Sequence, residues 1–225
     1  MKNKVIRFLK KPFIRNVIIL LSGTVGAQII GMLAAPIITR LYGPEAYGMM
    51  GTFLSIISIL GPIAALTYPI AIVLPKQDLY AKGLIKLSLI ITIIISLLVF
   101  IIILIFHELI IAVFKIEEIA AYIYLIPVTL FFVGILQVIE QWLIRTKQFS
   151  ISAKVTLWQA IIVNAGKIGV GLVYPVTAVL IFFTVFMQAI KTSLILFHLK
   201  RTNKRLLISS FKEKISILTL AKKYK

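Results

Sequence analysis

The sequence contains no cysteine and few acidic residues. Its 225 residues include 0 Cys, 7 Asp and Glu and 2 His, and only 14% of the residues are charged. The absence of cysteine excludes a disulfide scaffold and thiolate metal sites. Soluble globular proteins carry about 25% charged residues, so this chain has too little polar surface to cover a soluble particle of its size.

Most of the chain consists of long apolar runs. Hydrophobic residues make up 60% of the chain, which also excludes an intrinsically disordered protein. A helix that crosses the hydrocarbon core of a bilayer needs roughly 20 apolar residues, and six stretches are long enough. They are 16–38, 47–74, 84–106, 119–144, 155–174 and 176–199. The sequence therefore predicts an all-α integral membrane protein, a six-transmembrane-helix bundle whose first span is too long for a cleaved signal peptide.

The basic residues are distributed asymmetrically along the chain. The formal net charge of +18 would suggest nucleic-acid binding in a soluble protein. Here the cations lie between the apolar runs and form no patch, so no nucleic-acid partner is expected. Nearly all of them lie in the arm 1–15, in or beside the loops after the second and fourth spans, or in the tail 200–225. The positive-inside rule then predicts that both termini are cytoplasmic, in the inner (cytoplasmic) membrane.

Small residues form a row on each of the first two spans. The rows are Gly23, Ala27, Gly31 and Ala35 on the first, and Gly48, Gly51, Ser55 and Ser58 on the second. Such rows predict close helix–helix packing, and the alternative is that they leave room for a ligand. Gln28, beside the first row, is a candidate cavity residue. The segment 39–48 carries Gly43 and Pro44 and predicts a tight hairpin.

Three ionisable residues lie more than three positions from either end of a predicted span, and these are Glu140, Lys167 and Lys191. Ionisable groups at this depth are costly and usually face a bundle interior or a wet cavity. With a rise of 1.5 Å per residue, Lys167 lies about 18 Å from the cytoplasmic boundary, near the middle of the membrane. We expect Lys167 to face a polar cavity together with Asn164 on the same helical face.

Lys191 shares a helical face with Gln188, and both are further candidates for the cavity lining. Two alternatives stay open: Lys191 can snorkel to the interface, and Glu140 can pair with Lys191 or Arg145 for structure. A lining with more lysine than carboxylate fits an anionic ligand better than a cationic drug. No catalytic, nucleotide-binding or metal-binding pattern is present, so neither an enzyme nor a cofactor is expected.

Three motifs in the segment 14–76 carry a family resemblance. They are LSGT at 21–24 with APIITR at 35–40, the hairpin LYGPEAYG at 41–48, and YPIAIVLPK at 68–76. With them the chain resembles the polysaccharide biosynthesis protein family, the flippases of lipid-linked oligosaccharides such as O-antigen and capsule units. Many members carry an acidic residue after the tyrosine of the third motif, where this chain has Pro69. Any function of that carboxylate in the family therefore cannot be assigned to this position.

The resemblance implies a fold of two six-helix lobes around a central cationic cavity, as in the exporter superfamily that includes multidrug antiporters. It implies that this chain corresponds to the N-terminal lobe alone, a truncated or split product, with the tail 200–225 resembling the segment between the lobes. The implied activity is translocation of a polyprenyl-diphosphate-linked oligosaccharide to the outer leaflet for O-antigen, capsule or exopolysaccharide biosynthesis. Lys167, then Lys191, then Arg40 would hold the diphosphate, and Glu140 would couple an ion.

The implied partners are the lipid-linked oligosaccharide, membrane lipid, a second six-helix lobe or a second copy of the chain, and other polysaccharide-assembly proteins. Two other functions stay open: half of a multidrug-type ion-coupled antiporter, and a non-transporting remnant or assembly subunit. A membrane-embedded enzyme of glycan assembly would need a large outer loop with catalytic residues. The predicted outer loops are short, which disfavours that class.

Overall fold

The chain is described by a computed structural model over residues 12–201, with side chains described for 17–198. Its α-helices are α1 (Pro12–Leu60), α2 (Asp78–Phe114), α3 (Leu125–Arg145), α4 (Phe149–Gly171) and α5 (Thr177–Arg201). Short 3-10 helices cover Gly61–Ile63, Tyr68–Val73 and Glu117–Tyr122. The described part contains no β-strand, which confirms the all-α class. The predicted arm 1–15 and tail 200–225 lie outside the described residues, apart from the helix ends at Pro12 and Arg201.

The first helix, α1, is bent into two arms at Gly43. This residue has φ 80° and ψ 162° inside an otherwise helical stretch. The left-handed side of the Ramachandran map is open to glycine at no steric cost because it has no Cβ. The predicted tight turn is therefore made by one glycine between two directly connected arms, and not by a loop over 39–46.

Contacts along the bundle give the directions of these arms. Gly23 of the first arm lies against Ala153, and Tyr42 lies against Gly171, so the first arm runs parallel to α4. Ala46 of the second arm packs with Leu180, and the second arm continues in parallel with α5. Because α4 and α5 form a hairpin, the two arms of α1 are antiparallel. We call the end of the bundle at this turn the Gly43 end and the opposite end the Arg145 end.

The second predicted span, 47–74, is only half α-helical. Helix α1 ends at Leu60, and the rest of the stretch is made of 3-10 helices and turns down to Leu74. Gly61 and Pro62 disfavour a continued α-helix because glycine is flexible and proline lacks the amide hydrogen. Apolar content alone predicts a continuous helix here, and that prediction is wrong for 61–74.

Helix α2 extends beyond the predicted third span. The span was predicted for 84–106, followed by a loop, whereas the helix begins at Asp78 and continues to Phe114 across a break at Phe106 (φ −111°, ψ 24°). Helix α3 then begins at Leu125, and α4 begins at Phe149, compared with predicted span starts at 119 and 155. The predicted boundaries are therefore wrong mostly where a helix extends past the apolar run.

Four helical segments of the described part are long and apolar enough to cross a membrane. They are Val17–Ile63, Asp78–Phe114, Leu125–Arg145 and Thr177–His198. Six separate helices were predicted; the difference arises because two predicted spans lie in the bent α1 and because α4 is more polar, with Gln159, Asn164 and Lys167. Helix α4 packs between α1 and α5. The protein is a multi-pass, all-α membrane protein.

The two rows of small residues behave differently. In the first row, a Cβ on Gly23 would come within 2.5 Å of the Cα of Ala153, so the predicted close helix packing is confirmed at this point. In the second row, Gly48 and Gly51 have no neighbouring atom within 4 Å of a built Cβ, and Ser55 and Ser58 are exposed. The second row therefore makes no helix contact within the described part of this chain.

Candidate functional site

Lys167 is the most enclosed basic side chain of the described residues. It lies on α4 with 8% of its surface exposed, between the second arm of α1 and α5. Its Nζ atom lies 3.4 Å from Met50 Sδ and 3.4 Å from Thr184 Oγ1. The Thr184 hydroxyl donates to the Leu180 carbonyl oxygen, so its own oxygen is left to accept from the lysine. Both contacts are long, and a thioether is a weak acceptor.

No carboxylate of the described residues lies beside this amine. Within the part of the chain that the structure describes, no Asp or Glu oxygen lies within 4.0 Å of Lys167 Nζ. A buried cation is normally paired with an anion, because its removal from water costs several kcal/mol. Lys167 is therefore an enclosed amine without a negative partner among the described residues.

Tyr42 fixes the backbone beneath this lysine. Its hydroxyl donates a 2.7 Å hydrogen bond to the Lys167 carbonyl oxygen, and its ring occupies the space beside Gly171. Tyr42 is the last residue before the Gly43 bend, so the turn of α1 and the position of Lys167 are joined by one side chain. Sequence patterns did not indicate this contact or the Met50 contact, because both partners are more than 100 positions away from Lys167.

Lys191 and Glu140 form an ion pair between α5 and α3. The Nζ of Lys191 lies 2.6 Å from Oε1 of Glu140, with side-chain exposures of 16% and 35%. This is one of the two structural pairings considered for Glu140. The other candidate, Arg145, binds Asp78 instead. Along α5, Lys191 lies two turns beyond Thr184, so it is about 10 Å from the residue that contacts Lys167.

The remaining candidate residues are dispersed. Gln188 is half-buried on α5 between Thr184 and Lys191, so it lies on the line that connects the two lysines. Asn164 is half-buried one turn before Lys167, and its amide nitrogen donates to the Ala160 carbonyl oxygen. Gln28 and Arg40 are exposed on the first arm of α1. Arg40 and Tyr42 are two positions apart, so they project to nearly opposite sides of the helix, and the structure does not bring Arg40 to Lys167.

Arg145 holds the non-α-helical part of the second predicted span. Its guanidinium donates to the carbonyl oxygens of Ile72 and Pro75 at 3.1 and 2.6 Å, and to Asp78 Oδ1 at 2.9 Å. Near the middle of α3, Gln137 Nε2 donates to the Gly61 carbonyl oxygen at 2.9 Å. Two side chains of α3 thus brace the two ends of the stretch 61–75. Neither contact has a signature in the sequence, because the acceptors are backbone carbonyl oxygens.

The charged groups considered for the site are two lysines, Lys167 and Lys191, and one glutamate, Glu140, which is already paired with Lys191. No cluster of three or more His, Asp or Glu side chains that could hold a metal ion occurs in the described ranges. The groups present can hold a charged ligand through electrostatic and hydrogen-bonding contacts.

Comparison with known proteins gives the family. No curated protein and no solved structure matches the chain. A family model described as "Polysaccharide biosynthesis protein" matches residues 37–219. The match begins in the first arm of α1, includes α2 to α5, and covers most of the chain. The resemblance seen in the sequence motifs is confirmed: the chain belongs to the polysaccharide biosynthesis protein family.

Proposed function

We propose that this protein translocates a polyprenyl-diphosphate-linked oligosaccharide across the bacterial cytoplasmic membrane for O-antigen, capsule or exopolysaccharide biosynthesis. The process is transport without covalent chemistry, so the protein is not an enzyme in this proposal. The observation that carries the proposal is the enclosed Lys167 amine, which has no carboxylate beside it in the part of the chain that the structure describes. A diphosphate supplies the negative charge that this amine lacks, and family membership supports a polysaccharide precursor as its carrier.

The proposal includes a topology. The chain spans the membrane six times, with α1 contributing two spans at its bend and α4 contributing the fifth. The Gly43 end faces the outside, and the Arg145 end faces the cytoplasm, which puts the basic arm and tail on the cytoplasmic side. Fusion of a reporter at Lys225 and insertion of a tag at Gly43 test it, because the two positions are expected on opposite sides of the membrane.

One six-helix bundle cannot surround a bulky lipid-linked sugar. We therefore propose that the chain acts with a second six-helix lobe or a second copy of itself, in contact with membrane lipid and with other proteins of polysaccharide assembly. The second lobe would cover the part of α1 that has no neighbour here. Size analysis of the chain in nanodiscs, alone and together with a second lobe, distinguishes these arrangements.

The decisive experiment is a flipping assay in proteoliposomes that contain a fluorescent polyprenyl-diphosphate oligosaccharide. Lys167→Met keeps the side-chain volume and removes the charge, and we expect a loss of at least roughly tenfold in rate, since one charged contact is worth about 1.5–3 kcal/mol. Lys154→Ala removes an exposed lysine from the same helix and is the control. Unchanged flipping by Lys167→Met at normal protein abundance would contradict the role of the lysine.

A multidrug-type antiporter half is the second candidate. Export of organic cations favours free carboxylates at membrane depth, whereas Glu140 is held by Lys191 at 2.6 Å. The same proteoliposomes loaded with a cationic dye test this candidate, and dye export that is abolished by Glu140→Gln would favour it over flipping. A chain that transports neither substrate, alone or with a second lobe, fits a non-transporting remnant or assembly subunit.

A further inference from the structure

A cleft lies beside the break in α2, toward the Gly43 end of the bundle. Helix α2 begins at the Arg145 end, where Asp78 pairs with Arg145, so the break at Phe106 lies toward the opposite end. Residues 104–109 of α2 and Tyr124, which directly precedes α3, line an open cleft of about 710 Å³. The cleft shares no residue with the candidate site described above.

Two polar side chains of the cleft have unused acceptor atoms within the part of the chain that the structure describes. Nδ1 of His107 is shielded from solvent and makes no hydrogen bond, although the ring packs against Tyr124 with the two centroids 5.0 Å apart. Glu108 is exposed, and no basic nitrogen of the described residues lies within 4.0 Å of its carboxylate. A primary ammonium has three N–H donors and one positive charge, so it can satisfy both acceptors.

An apolar stripe leads along α2 to this cleft. Positions 94, 98, 101 and 105 share one helical face at 100° per residue, and Glu108 follows one turn further on, across the break. The four residues of the stripe are exposed and aliphatic, and they are Ile94, Leu98, Ile101 and Ile105. At a rise of 1.5 Å per residue the stripe is about 16 Å long, which is close to half of a hydrocarbon core of about 30 Å. One acyl chain of a single leaflet therefore fits the stripe when its head group lies at Glu108.

Helix α2 lies at the edge of the bundle. Its buried side, which includes Leu84, Thr92 and Ile103, packs against α3 and two of the 3-10 helices, and it has at most marginal contact with α1. The stripe is thus on a different helix from the open part of α1 that is proposed to meet a second lobe. It remains available to lipid in that arrangement.

We propose that the cleft binds a phospholipid whose head group ends in a primary ammonium. Glu108 neutralises the ammonium, Nδ1 of His107 accepts one of its N–H groups, and one acyl chain lies along the stripe. A quaternary ammonium has the charge but no N–H donor for His107, and an anionic head group is repelled by Glu108. This binding does not depend on transport activity. Only the leaflet, which is the outer one, follows from the proposed topology.

Native mass spectrometry of the protein released from nanodiscs measures the lipid that stays bound. The nanodiscs contain equal amounts of phosphatidylethanolamine, phosphatidylcholine and phosphatidylglycerol with identical acyl chains. We expect the ethanolamine lipid to be retained at least about fivefold over each of the others, as for a hydrogen bond to a charged group. Equal retention of the three lipids, or a preference for either of the other two, overturns the proposal. A dimer that carries no lipid also overturns it, in favour of a second copy of the chain in the cleft.

Matched variants test the two polar contacts. Glu108→Gln removes the charge, and His107→Phe keeps a ring beside Tyr124 while it removes Nδ1. Glu118→Gln removes another exposed carboxylate, which follows the end of α2, and is the control. We expect the first two variants to lower the preference for the ethanolamine lipid by at least about threefold and the control to leave it unchanged. An unchanged preference in Glu108→Gln, or an equal loss in the control, overturns the site.

The position of the lipid is tested with a phosphatidylethanolamine that carries a photoactivatable diazirine in one acyl chain. We expect cross-links in peptides that cover 94–109, which excess unlabelled phosphatidylethanolamine removes and an equal excess of phosphatidylglycerol does not. Cross-links spread evenly over all exposed apolar helices, or equal competition by both lipids, overturn the proposal. If the lipid binds here but the protein flips no lipid-linked sugar, the proposed function fails and the lipid site stands.

Discussion

The hydroxyl of Tyr42 donates a 2.7 Å hydrogen bond to the backbone carbonyl oxygen of Lys167, 125 positions further along the chain. The contact joins the last residue before the bend of α1 to the centre of α4. It orients the helix that carries the enclosed amine. The bend, the helix pair and the lysine are therefore one structural unit.

Removal of the Tyr42 hydroxyl should weaken this unit without dismantling it. For Tyr42→Phe we expect a loss of about 0.5–1.5 kcal/mol in the free energy of unfolding, the net value of a neutral hydrogen bond. The midpoint of thermal unfolding in detergent measures the change. Tyr47→Phe, five positions along on the other side of the bend, makes no hydrogen bond through its hydroxyl in the described part of the chain and is the matched control. An equal loss in both variants would show that the hydrogen bond from Tyr42 to Lys167 does not contribute to the free energy of unfolding.

The close approach of Tyr42 to α4 also makes a steric prediction. A Cβ at Gly171 would lie 2.6 Å from the Tyr42 ring, whereas a Cβ at Gly169, on the same helix, meets no atom within 4 Å. We expect Gly171→Ala to destabilise the protein by about 1–3 kcal/mol through overpacking. Gly169→Ala should be neutral or slightly stabilising, by up to about 1 kcal/mol, because alanine is the better helix former. Unfolding curves of the two variants, measured under the same conditions, test this difference in stability.

Apolar runs and basic loops were sufficient to predict the class of protein and most helix positions. They could not predict that the chain leaves the α-helix at Gly61, because proline and glycine are tolerated in membrane helices when neighbours satisfy the freed groups. In this chain those neighbours are Gln137 and Arg145 of α3. Their partners are carbonyl oxygens, which have no signature in the sequence.

The charged residues show the same limit. The pairing of Glu140 with Lys191 could be considered from the sequence because the two predicted depths differ by about 6 Å, a gap that a lysine side chain spans. The two alternatives for Glu140, Lys191 and Arg145, could not be separated by depth. The packing of α3 against α5 brings Lys191 to Glu140, while the exposed start of α2 brings Asp78 to Arg145.

Disruption of the Glu140–Lys191 pair should depend on which partner remains. Glu140→Gln leaves a half-buried ammonium without its counter-charge, and we expect a loss of about 1–3 kcal/mol, reduced from the value for fully buried pairs because the glutamate is partly exposed. The exchanged double variant Glu140→Lys with Lys191→Glu should recover at least half of the loss. Stability and protein abundance in membranes measure both. Additive losses in the double variant would show that the two side chains do not stabilise each other.

Arg145 contacts both backbone carbonyl oxygens and the Asp78 carboxylate. Two variants separate the contributions of these contacts to the free energy of unfolding. Asp78 is 74% exposed and Arg145 is 11% exposed at the side chain, so solvent screens the carboxylate while the contacts to backbone oxygens are sheltered. We expect Asp78→Asn to cost less than about 1 kcal/mol, as for other exposed ion pairs. Arg145→Lys should cost about 2–3 kcal/mol, because an ammonium cannot reach several carbonyl oxygens with the planar geometry of arginine.

The same pair of variants shows what Arg145 does for the turn at Leu66 and Thr67, where φ is 48° and 59°. In a Thr67→Cys background, Arg145→Lys should change the rate of maleimide labelling at position 67, because the turn loses its brace at Ile72 and Pro75. Asp78→Asn should leave that rate unchanged, since it leaves the carbonyl contacts in place. If Asp78→Asn altered labelling as much as Arg145→Lys, the ion pair and not the carbonyl contacts would hold the turn at Leu66 and Thr67 in position.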